Sequence, residues 1–205
     1  SGSTNEDTAV DITLSATDVE GSSLTYSVVA TNNGSVSING TTATYTPTAN
    51  YNGTDTFTYK ANDGTDDSNT ATVTITIAAV NDAPVASNVS ASTNEDTAKD
   101  ITLSGADVDS GDTLTYSIVS DASNGSTSLS GSTVTYTPDT NWNGTDTFTY
   151  KVNDGTVDSN TSTVTVTVAA VNDAPVASNA SGSTNEDTAV DITLSATDVE
   201  GSSLT

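Results

Sequence analysis

Residues 70–80 read TATVTITIAAV, and this stretch indicates how the chain folds. Apolar side chains occupy every second position from Ala71 to Ala79, and threonine fills most of the positions between them. A period of two places the apolar side chains on one face of a β-strand and the threonines on the other. Threonine favours this conformation because its branched Cβ suits a pleated surface. The stretch therefore predicts a strand with one buried and one solvated face.

Further runs with the same alternation lie upstream of this strand. They read DITLSA (11–16), SLTYSVV (23–29), ATYTP (43–47) and DTFTYKA (55–61). Turns rich in Asn, Asp and Gly separate them, and no helical periodicity occurs. With the run around TNEDTA (4–9), about seven short strands fall within roughly 90 residues, which is the size of an immunoglobulin-like β-sandwich. We therefore predict an all-β fold of seven-stranded Greek-key β-sandwiches.

The sequence also repeats itself. TNEDTA begins at Thr4, Thr93 and Thr184, and residues 1–25 are identical to residues 181–205. Similarity at a period of this length is typical of tandem arrays. We predict a linear head-to-tail array with repeat 1 over residues 1–82, which lacks the start of strand A, and a complete repeat 2 over residues 83–173. A truncated repeat 3 over residues 174–205 would hold strands A and B and the start of C.

A truncated sandwich of this size cannot bury a core by itself. Two completions are open at this point. Either the array continues beyond the segment, or repeat 3 exchanges strands with another copy of the chain and so builds a filament.

Charge and composition exclude several functions. The chain carries 27 acidic residues and three lysines, for a formal charge of −24, and it has no Cys, His or Met. Nucleic-acid binding needs clustered positive charge, which this sequence lacks. Nucleophilic cysteine, histidine bases and the usual zinc ligands are absent as well. No apolar stretch is long enough to span a bilayer, and we expect any export signal to lie outside this segment.

The acidic residues concentrate in the loops that strand parity places at the two ends of each repeat. In a head-to-tail array, one repeat's TNEDTA turn and VNDAP linker would meet the next repeat's DVEG or DVDSGD loop and its NDGT loop. So many carboxylates repel one another unless a divalent cation lies between them, and oxygen ligands in this number suit Ca²⁺. The first predicted junction gathers Glu6, Asp7, Asp55, Asn81, Asp82, Asp107, Asp109, Asp112 and Asp154. The second gathers Glu95, Asp96, Asp139, Asp146, Asn172, Asp173, Asp198 and Glu200.

Each of these residues, taken alone, also fits a simple turn former. Asp and Asn hydrogen-bond their own backbone in turns, so a single acid in a loop needs no metal. Asp67 and Asp158 are interpreted as solvated loop residues. The calcium hypothesis depends on several oxygens converging at one place.

Several of the motifs resemble those of cadherins. LSATDVEGSSLTYSVV (14–29) resembles the cadherin segment that carries an Asp-x-Asp calcium motif before a tyrosine-containing strand. AAVNDAPV (78–85) resembles the cadherin linker, and KANDG (60–64) resembles the Ala-x-Asp-x-Gly motif. NYNGTDTFTYKANDGT (50–65) is similar to bacterial cadherin-like tandem repeats of large secreted surface proteins and adhesins. The resemblance covers essentially the whole chain.

The resemblance implies a tandem immunoglobulin/cadherin-like array with calcium between its domains. Carried over by matching position, the implied ligands are Glu6, Asn81, Asp82, Asp107, Asp109 and Asp154. Their counterparts at the second junction are Glu95, Asn172, Asp173, Asp198 and Glu200. Ala79 stands where the cadherin linker opens with a ligating Asp, and a residue is missing near Ala83, which implies fewer or weaker sites.

These features predict a structural role outside the cell. The chain would be a calcium-rigidified spacer or filament-forming segment of a large adhesin or biofilm surface protein, secreted or at the cell surface. Its partners would be neighbouring repeats or copies of itself, with any glycan or cell-surface ligand bound through domains outside this segment. The alternative is a carbohydrate- or protein-binding adhesion module that contacts its ligand itself. No enzyme is expected, because the same acids recur in every repeat without the apolar surroundings that a catalytic carboxyl needs.

Overall fold

The structure, a computed structural model, describes residues 1–201. The chain divides into two compact units, unit 1 over Ser1–Asp82 and unit 2 over Ala83–Thr205. Every regular element in the described residues is a β-strand. None of the described residues forms a helix that is long and apolar enough to cross a membrane.

Unit 1 is built from strands alone. They are β1 Gly2–Asn5, β2 Val10–Thr13, β3 Thr25–Thr31, β4 Gly34–Asn39, β5 Thr42–Pro47, β6 Gly53–Asn62 and β7 Ala71–Ala78. One sheet has the order β1-β7-β6-β3, and the other has the order β2-β5-β4. Neighbouring strands run antiparallel except β1 and β7, which pair in parallel. The result is a two-sheet sandwich.

Unit 2 repeats this arrangement and adds an opening strand. Its strands are β8 Val85–Ser87, β9 Val89–Asn94, β10 Lys99–Thr102, β11 Ser104–Ala106, β12 Thr115–Ser120, β13 Gly125–Ser130, β14 Thr133–Pro138, β15 Gly144–Asn153 and β16 Ser162–Ala169. The sheets have the orders β12-β15-β16-β9 and β10-β14-β13, and β8 pairs with β11. Two short strands follow, β17 Val176–Ala177 and β18 Ala196–Thr197, which pair with each other. The predicted all-β fold of immunoglobulin-like sandwiches is confirmed.

The alternating side chains of β7 form much of the core of unit 1. Its valine and isoleucine side chains are buried, and the threonines between them are exposed. Tyr45 and Phe57 belong to the same cluster, and their stacked rings have centroids 6.4 Å apart. Unit 2 has the equivalent pair, Tyr136 and Phe148, at the same separation of 6.4 Å. Burial of these side chains is the main force that holds the two sheets together.

Each core also encloses a tyrosine–aspartate pair. The Tyr136 hydroxyl donates to Asp146 at 3.1 Å, and the amides of Ser123, Asn124 and Thr147 donate to the same carboxylate at 3.1, 2.9 and 2.8 Å. Burial by itself raises the pKa of Asp146, but these four donors outweigh it and hold the pKa below its ordinary value. The charged carboxylate therefore stabilises the folded unit.

The expectation that Asp55 and Asp146 join the acids of the junctions is wrong. Asp55 is buried and accepts hydrogen bonds from the Tyr45 hydroxyl at 2.6 Å and from the Asn33 amide at 3.0 Å. Both aspartates are thus satisfied inside their own sandwich. The reason is that each lies on an inward-facing position of a strand rather than in a loop.

Residues 1–21 and 181–201 have the same sequence but different structures. The turn at Asp7 and Asp187 is shared, with φ angles of 57° and 61°. Residues 10–13 form β2 and pair with β5, whereas residues 190–193 form no strand. Leu14 is accordingly 3 % exposed, and its counterpart Leu194 is 82 % exposed.

This difference predicts unequal effects of one substitution at two identical sequence positions. Leu14→Ala should lower the free energy of unfolding of unit 1 by about 2–5 kcal/mol, because it leaves a cavity in a packed core. Leu194→Ala should leave the free energy of unfolding unchanged. Urea denaturation of the two variants at low protein concentration, followed by circular dichroism, measures both. Equal losses would contradict the structure.

The buried carboxylate predicts a loss of stability in acid. Because the pKa of Asp146 is lowered in the folded state, its contribution is present above the ordinary value of 3.8 and is lost as the pH falls through the lowered pKa. Asp146→Asn should therefore flatten the acid limb of the stability curve of unit 2. The exposed Asp191→Asn is the matched control and should leave this limb unchanged. Denaturant unfolding from pH 7 to pH 2.5 compares the two variants.

Candidate metal centre

Three carboxylates come together at one end of unit 2. Asp107 and Asp112 lie in the loop between β11 and β12, and Asp154 lies at the start of the loop between β15 and β16. One carboxylate oxygen from each lies within 4.8 Å of the others. The sheet order causes this convergence, because both loops leave the sandwich at the same end.

Backbone amides fix the orientation of two of these carboxylates. Asp107 Oδ1 accepts the Asp109 amide at 2.9 Å. Asp154 is buried, and its Oδ1 accepts the amides of Thr156 and Val157 at 2.6 and 2.7 Å. Such turns hold a carboxylate in place without neutralising its charge.

One oxygen in this cluster is buried without a hydrogen-bond donor. No donor among residues 1–201 reaches Asp107 Oδ2, although this atom is shielded from solvent. A buried carboxylate oxygen is costly unless a donor or a cation satisfies it. The donor set fits a hard divalent cation, because it offers oxygen atoms alone.

The charges in the cluster oppose one another. The pKa of Asp112 is raised by burial and, in addition, by the nearby charges of Asp107, Asp109 and Asp154. A raised pKa means that the charged form of Asp112 destabilises the folded unit. A bound cation would reverse this effect.

The corresponding end of unit 1 carries a related set of acidic side chains. Asp18 Oδ1 accepts the Ser22 amide at 3.1 Å, and Asp63 Oδ1 accepts the amides of Thr65 and Asp66, each at 2.7 Å. The loop that begins at Asp18 is one residue shorter than the loop that begins at Asp107, so unit 1 has no counterpart of Asp112. A cavity of about 160 Å³ lies here instead.

At the opposite end of each unit, a buried glutamate binds the linker backbone. Glu6 accepts the Val80 amide at 2.5 Å and the Asn52 side-chain amide at 3.4 Å. Glu95 accepts the Val171 amide and, at 3.5 Å, the Asn143 side-chain amide. The sequence did not predict this contact. Each glutamate therefore has one oxygen committed to the backbone.

The remaining predicted ligands lie in or beside the linkers. The side-chain amides of Asn81 and Asn172 donate to the carbonyl oxygens of Asp82 and Asp173, both at 2.8 Å. The Asp173 amide donates to Glu200 at 3.1 Å, which brings two residues of the second predicted set together. The Asp198 carbonyl accepts the Gly201 amide at 3.2 Å within a turn. The ligand roles of these residues stay predictions.

The structure brings together three of the acids predicted for the first junction. Within unit 2, Asp107 and Asp154 converge, and Asp109 contributes its amide to Asp107. Asp112, which the carry-over from cadherins omitted, completes the cluster. Its signal in the sequence is the additional acid in DVDSGD compared with DVEGSS.

Asp67 and Asp158 are exposed, as expected of solvated loop residues, and each also forms an ion pair with a lysine. Lys151 Nζ lies 2.5 Å from Asp158, and Lys60 Nζ lies 3.6 Å from Asp67. Both aspartates also accept an Asn side-chain amide from the neighbouring strand, at 2.8 and 2.9 Å. These pairs are largely exposed, so their contribution to stability is small.

Comparison with known proteins identifies the sandwich. The family model described as Bacterial Ig domain matches residues 1–76 and again residues 81–167. The chain belongs to this family. The two matched ranges correspond to the first two repeats of the sequence. The predicted resemblance to bacterial cadherin-like and immunoglobulin-like repeats is confirmed. A comparison with curated proteins found no match.

Comparison with solved structures shows that the fold of these bacterial Ig domains is similar to that of cadherin domains. Human CDH23 EC21-23 is 18 % identical, with a TM-score of 0.60, over 97 % of this chain and 83 % of that chain. The extracellular cadherin domains 1-4 of Protocadherin Gamma B7 are 17 % identical, with a TM-score of 0.50, over 97 % and 58 % of the two chains. An endo-fucoidan hydrolase from glycoside hydrolase family 107 is 22 % identical, with a TM-score of 0.38 over 83 % of this chain, which spans 27 % of that protein. At these identities the likeness concerns the fold alone.

The repulsion at Asp112 predicts a gain in stability when its charge is removed. In chelator at pH 7, Asp112→Asn should raise the thermal midpoint of unit 2, because the folded state no longer holds a fourth negative charge there. The difference from wild type should shrink as the pH falls, since protonation already relieves the repulsion below the raised pKa. Differential scanning calorimetry measures the midpoint, with the exposed Asp121→Asn as the matched control. An unchanged or lower midpoint for Asp112→Asn would contradict the electrostatic argument.

Proposed function

We propose that the chain is a calcium-stabilised structural segment of a large extracellular bacterial protein, serving as a spacer or filament-forming region of adhesin or biofilm type. The observation that carries the proposal is the convergence of Asp107, Asp112 and Asp154 around a buried oxygen without a donor. This cluster occurs in a repeated domain of a family whose members are typically extracellular and non-catalytic. The proposal includes no catalytic role.

Ca²⁺ is the proposed cation because of the chemistry of the ligands. Ca²⁺ accepts six to eight oxygen ligands in flexible geometry, whereas transition metals favour nitrogen and sulfur. The chain contains no His and no Cys, so it offers oxygen ligands to a metal. The three clustered carboxylates supply part of the shell. The proposed remainder comes from the ligands that the sequence predicts, namely Glu6, Asn81, Asp82 and Asp109, with Glu95, Asn172, Asp173, Asp198 and Glu200 in the second set.

The benefit of calcium to the molecule would be electrostatic. A chain with a formal charge of −24 repels itself, and the repulsion is strongest where carboxylates converge. A divalent ion at the cluster would attract the carboxylates that otherwise repel one another. It would also fix the two loops, which are otherwise held by hydrogen bonds within their own turns. Extracellular calcium modules bind in the millimolar range or tighter, so exported repeats would be loaded, and we propose that this binding stiffens the chain.

Calcium should therefore raise the thermal midpoint of unit 2 and increase the maximum dimension of the chain in solution X-ray scattering. Asp107→Asn should weaken calcium binding by roughly 10-fold or more, because it alters a ligand whose geometry the loop fixes. Asp121→Asn, an exposed acid on another loop, should bind calcium like wild type. Titration calorimetry measures the affinity, and scattering with calcium or chelator measures the dimension.

Two results would overturn the proposal. In the first, calcium binds neither wild type nor Asp121→Asn at millimolar concentration, which removes the site. Alternatively, calcium could bind through the cluster and leave the scattering curve unchanged, which removes the stiffening role.

A further inference from the structure

Strand β13 lies at an edge of unit 2, where only one of its two sides has a strand beside it. In the sheet order β10-β14-β13 its neighbour is β14, and no strand among residues 1–201 pairs with its other side. The turn between β13 and β14 has two residues, so Ser130 and Thr133 flank it as a hydrogen-bonded pair. Alternate residues of β13, counted back from Ser130, therefore bond β14.

The remaining residues of β13 direct their backbone groups away from the sheet. The Asp139 amide donates to the Asn124 carbonyl at 2.9 Å, which agrees with this parity, because Asn124 continues the series that bonds β14. The N–H and C=O groups of Gly125, Thr127 and Leu129 thus point towards the open side. They form the bonding pattern that a further strand would need.

Strand β13 also lacks the features that usually protect a strand edge. Charged residues, proline and β-bulges discourage pairing at an edge. Strand β10 carries Lys99 and Asp100, and β12 has a bulge between Ile118 and Ser120. Strand β13 reads GSTSLS, with no charge and no proline, and it pairs with β14 in unbroken register. Nothing within β13 itself opposes the addition of a strand.

A cavity of about 510 Å³ opens beside this edge. Leu114, Tyr116 and Leu129 line it, and all three side chains are half-buried against the core of unit 2. Strands β12 and β13 are edge strands of two different sheets, so the cavity lies between the sheets and adjoins the core. It is large enough to receive an aliphatic side chain. We call β13 and this cavity the edge groove.

The charges around the edge groove favour a basic partner. Asp121 accepts a hydrogen bond from the Thr127 hydroxyl, so a carboxylate lies directly beside β13. Of the two lysines in unit 2, Lys99 lies on β10 at the opposite edge of the sheet, and Lys151 is paired with Asp158. The chain as a whole carries a formal charge of −24. A second copy would therefore be repelled, whereas a basic segment would be attracted.

We propose that the edge groove binds an extended basic peptide of another protein, which adds to the sheet as a strand beside β13. The peptide backbone would bond the outward N–H and C=O groups, which supply the affinity when a peptide extends a sheet. Side chains of a strand alternate between two faces. Apolar side chains on one face would enter the cavity, and basic side chains on the other would stay in solvent near the acidic residues. This site adds a binding role to the proposed spacer role and needs no calcium.

A titration of the full chain with a synthetic peptide, in chelator, tests the proposal. The probe is a capped peptide of alternating lysine and valine, as long as the six residues of β13. Nuclear magnetic resonance follows each backbone amide, which keeps β13 separate from the equivalent edge strand β4 of unit 1. With the probe bound, hydrogen exchange at Thr127 and Leu129 should slow several-fold, because their amides become bonded. Ser126 and Ser128 already bond β14, so exchange at their amides should change little.

Two further peptides separate strand addition from simple charge attraction. A peptide with proline in place of two valines keeps the charge but lacks the N–H groups that the added strand needs. It should bind about tenfold more weakly or worse. A peptide with glutamate in place of lysine should bind least, and added salt should weaken binding of the lysine peptide.

Substitution of Thr127 tests the site from the side of the protein. Thr127→Pro removes one outward N–H and should weaken binding of the lysine peptide about tenfold, while the bonds to β14 stay intact. Thr127→Val is the matched control, because it also loses the bond to Asp121 but retains the amide, and it should bind like wild type. Circular dichroism checks that both variants fold.

Three results would overturn the proposal. The first is unchanged exchange at Thr127 and Leu129 with the lysine peptide at millimolar concentration. The second is equal binding of the lysine peptide and its proline analogue, which would indicate attraction by charge alone. The third is a chain that dimerises without peptide and protects the same amides, which would make a second copy the occupant. If Thr127→Pro does not fold, the exchange measurement on wild type still decides.

Discussion

Backbone pairing between segments far apart in the sequence is the constraint on which both units depend. A strand points its N–H and C=O groups sideways, so it persists where a neighbour bonds them and covers its apolar face. The two identical segments of the chain make this visible. The turn at Asp7 and Asp187 forms in both, because its hydrogen bonds join residues four positions apart or fewer. Strand β2 forms where β5 is its neighbour, and the same residues at 190–193 stay irregular.

The sequence predicted what depends on local pattern and chain direction. Alternation of apolar and polar residues is a direct consequence of strand geometry, so TATVTITIAAV predicted the burial of β7 correctly. Strand parity likewise predicted that the loops beginning at Asp107 and Asp154 leave unit 2 at one end. Strand parity could not distinguish Asp146 from the acids in the loops. The burial of its carboxylate depends on contact with Tyr136, and this contact forms only when the two sheets pack together. Strand parity placed Asp112 in the predicted junction, but the ligands carried over from cadherins omitted it for another reason. It lies in a loop insertion, and transfer from a family motif by matching position omits inserted residues.

The buried glutamates show how a side chain predicted as a ligand also serves the fold. Glu6 reaches a backbone amide 74 positions later, so the first turn of unit 1 holds the chain where it leaves the last strand. Glu95 repeats this contact at Val171. The linker is therefore anchored by the protein itself before any cation binds. The Asn and Asp residues of each linker follow directly after the anchored amide. Their position relative to the sandwich is therefore constrained by this hydrogen bond.

The parallel pairing of the first and last long strands has a mechanical consequence. In unit 1, Gly2–Asn5 run beside Ile75–Ala78, and in unit 2, Val89–Asn94 run beside Val164–Ala169 in the same direction. Tension applied to the two ends of a unit pulls these neighbours past each other lengthwise. The interstrand hydrogen bonds then bear the load together instead of opening one after another, as they would if the strands were peeled apart. Rupture under shear requires many hydrogen bonds to break at once. Each unit therefore resists extension more strongly than the packing of its core alone would allow.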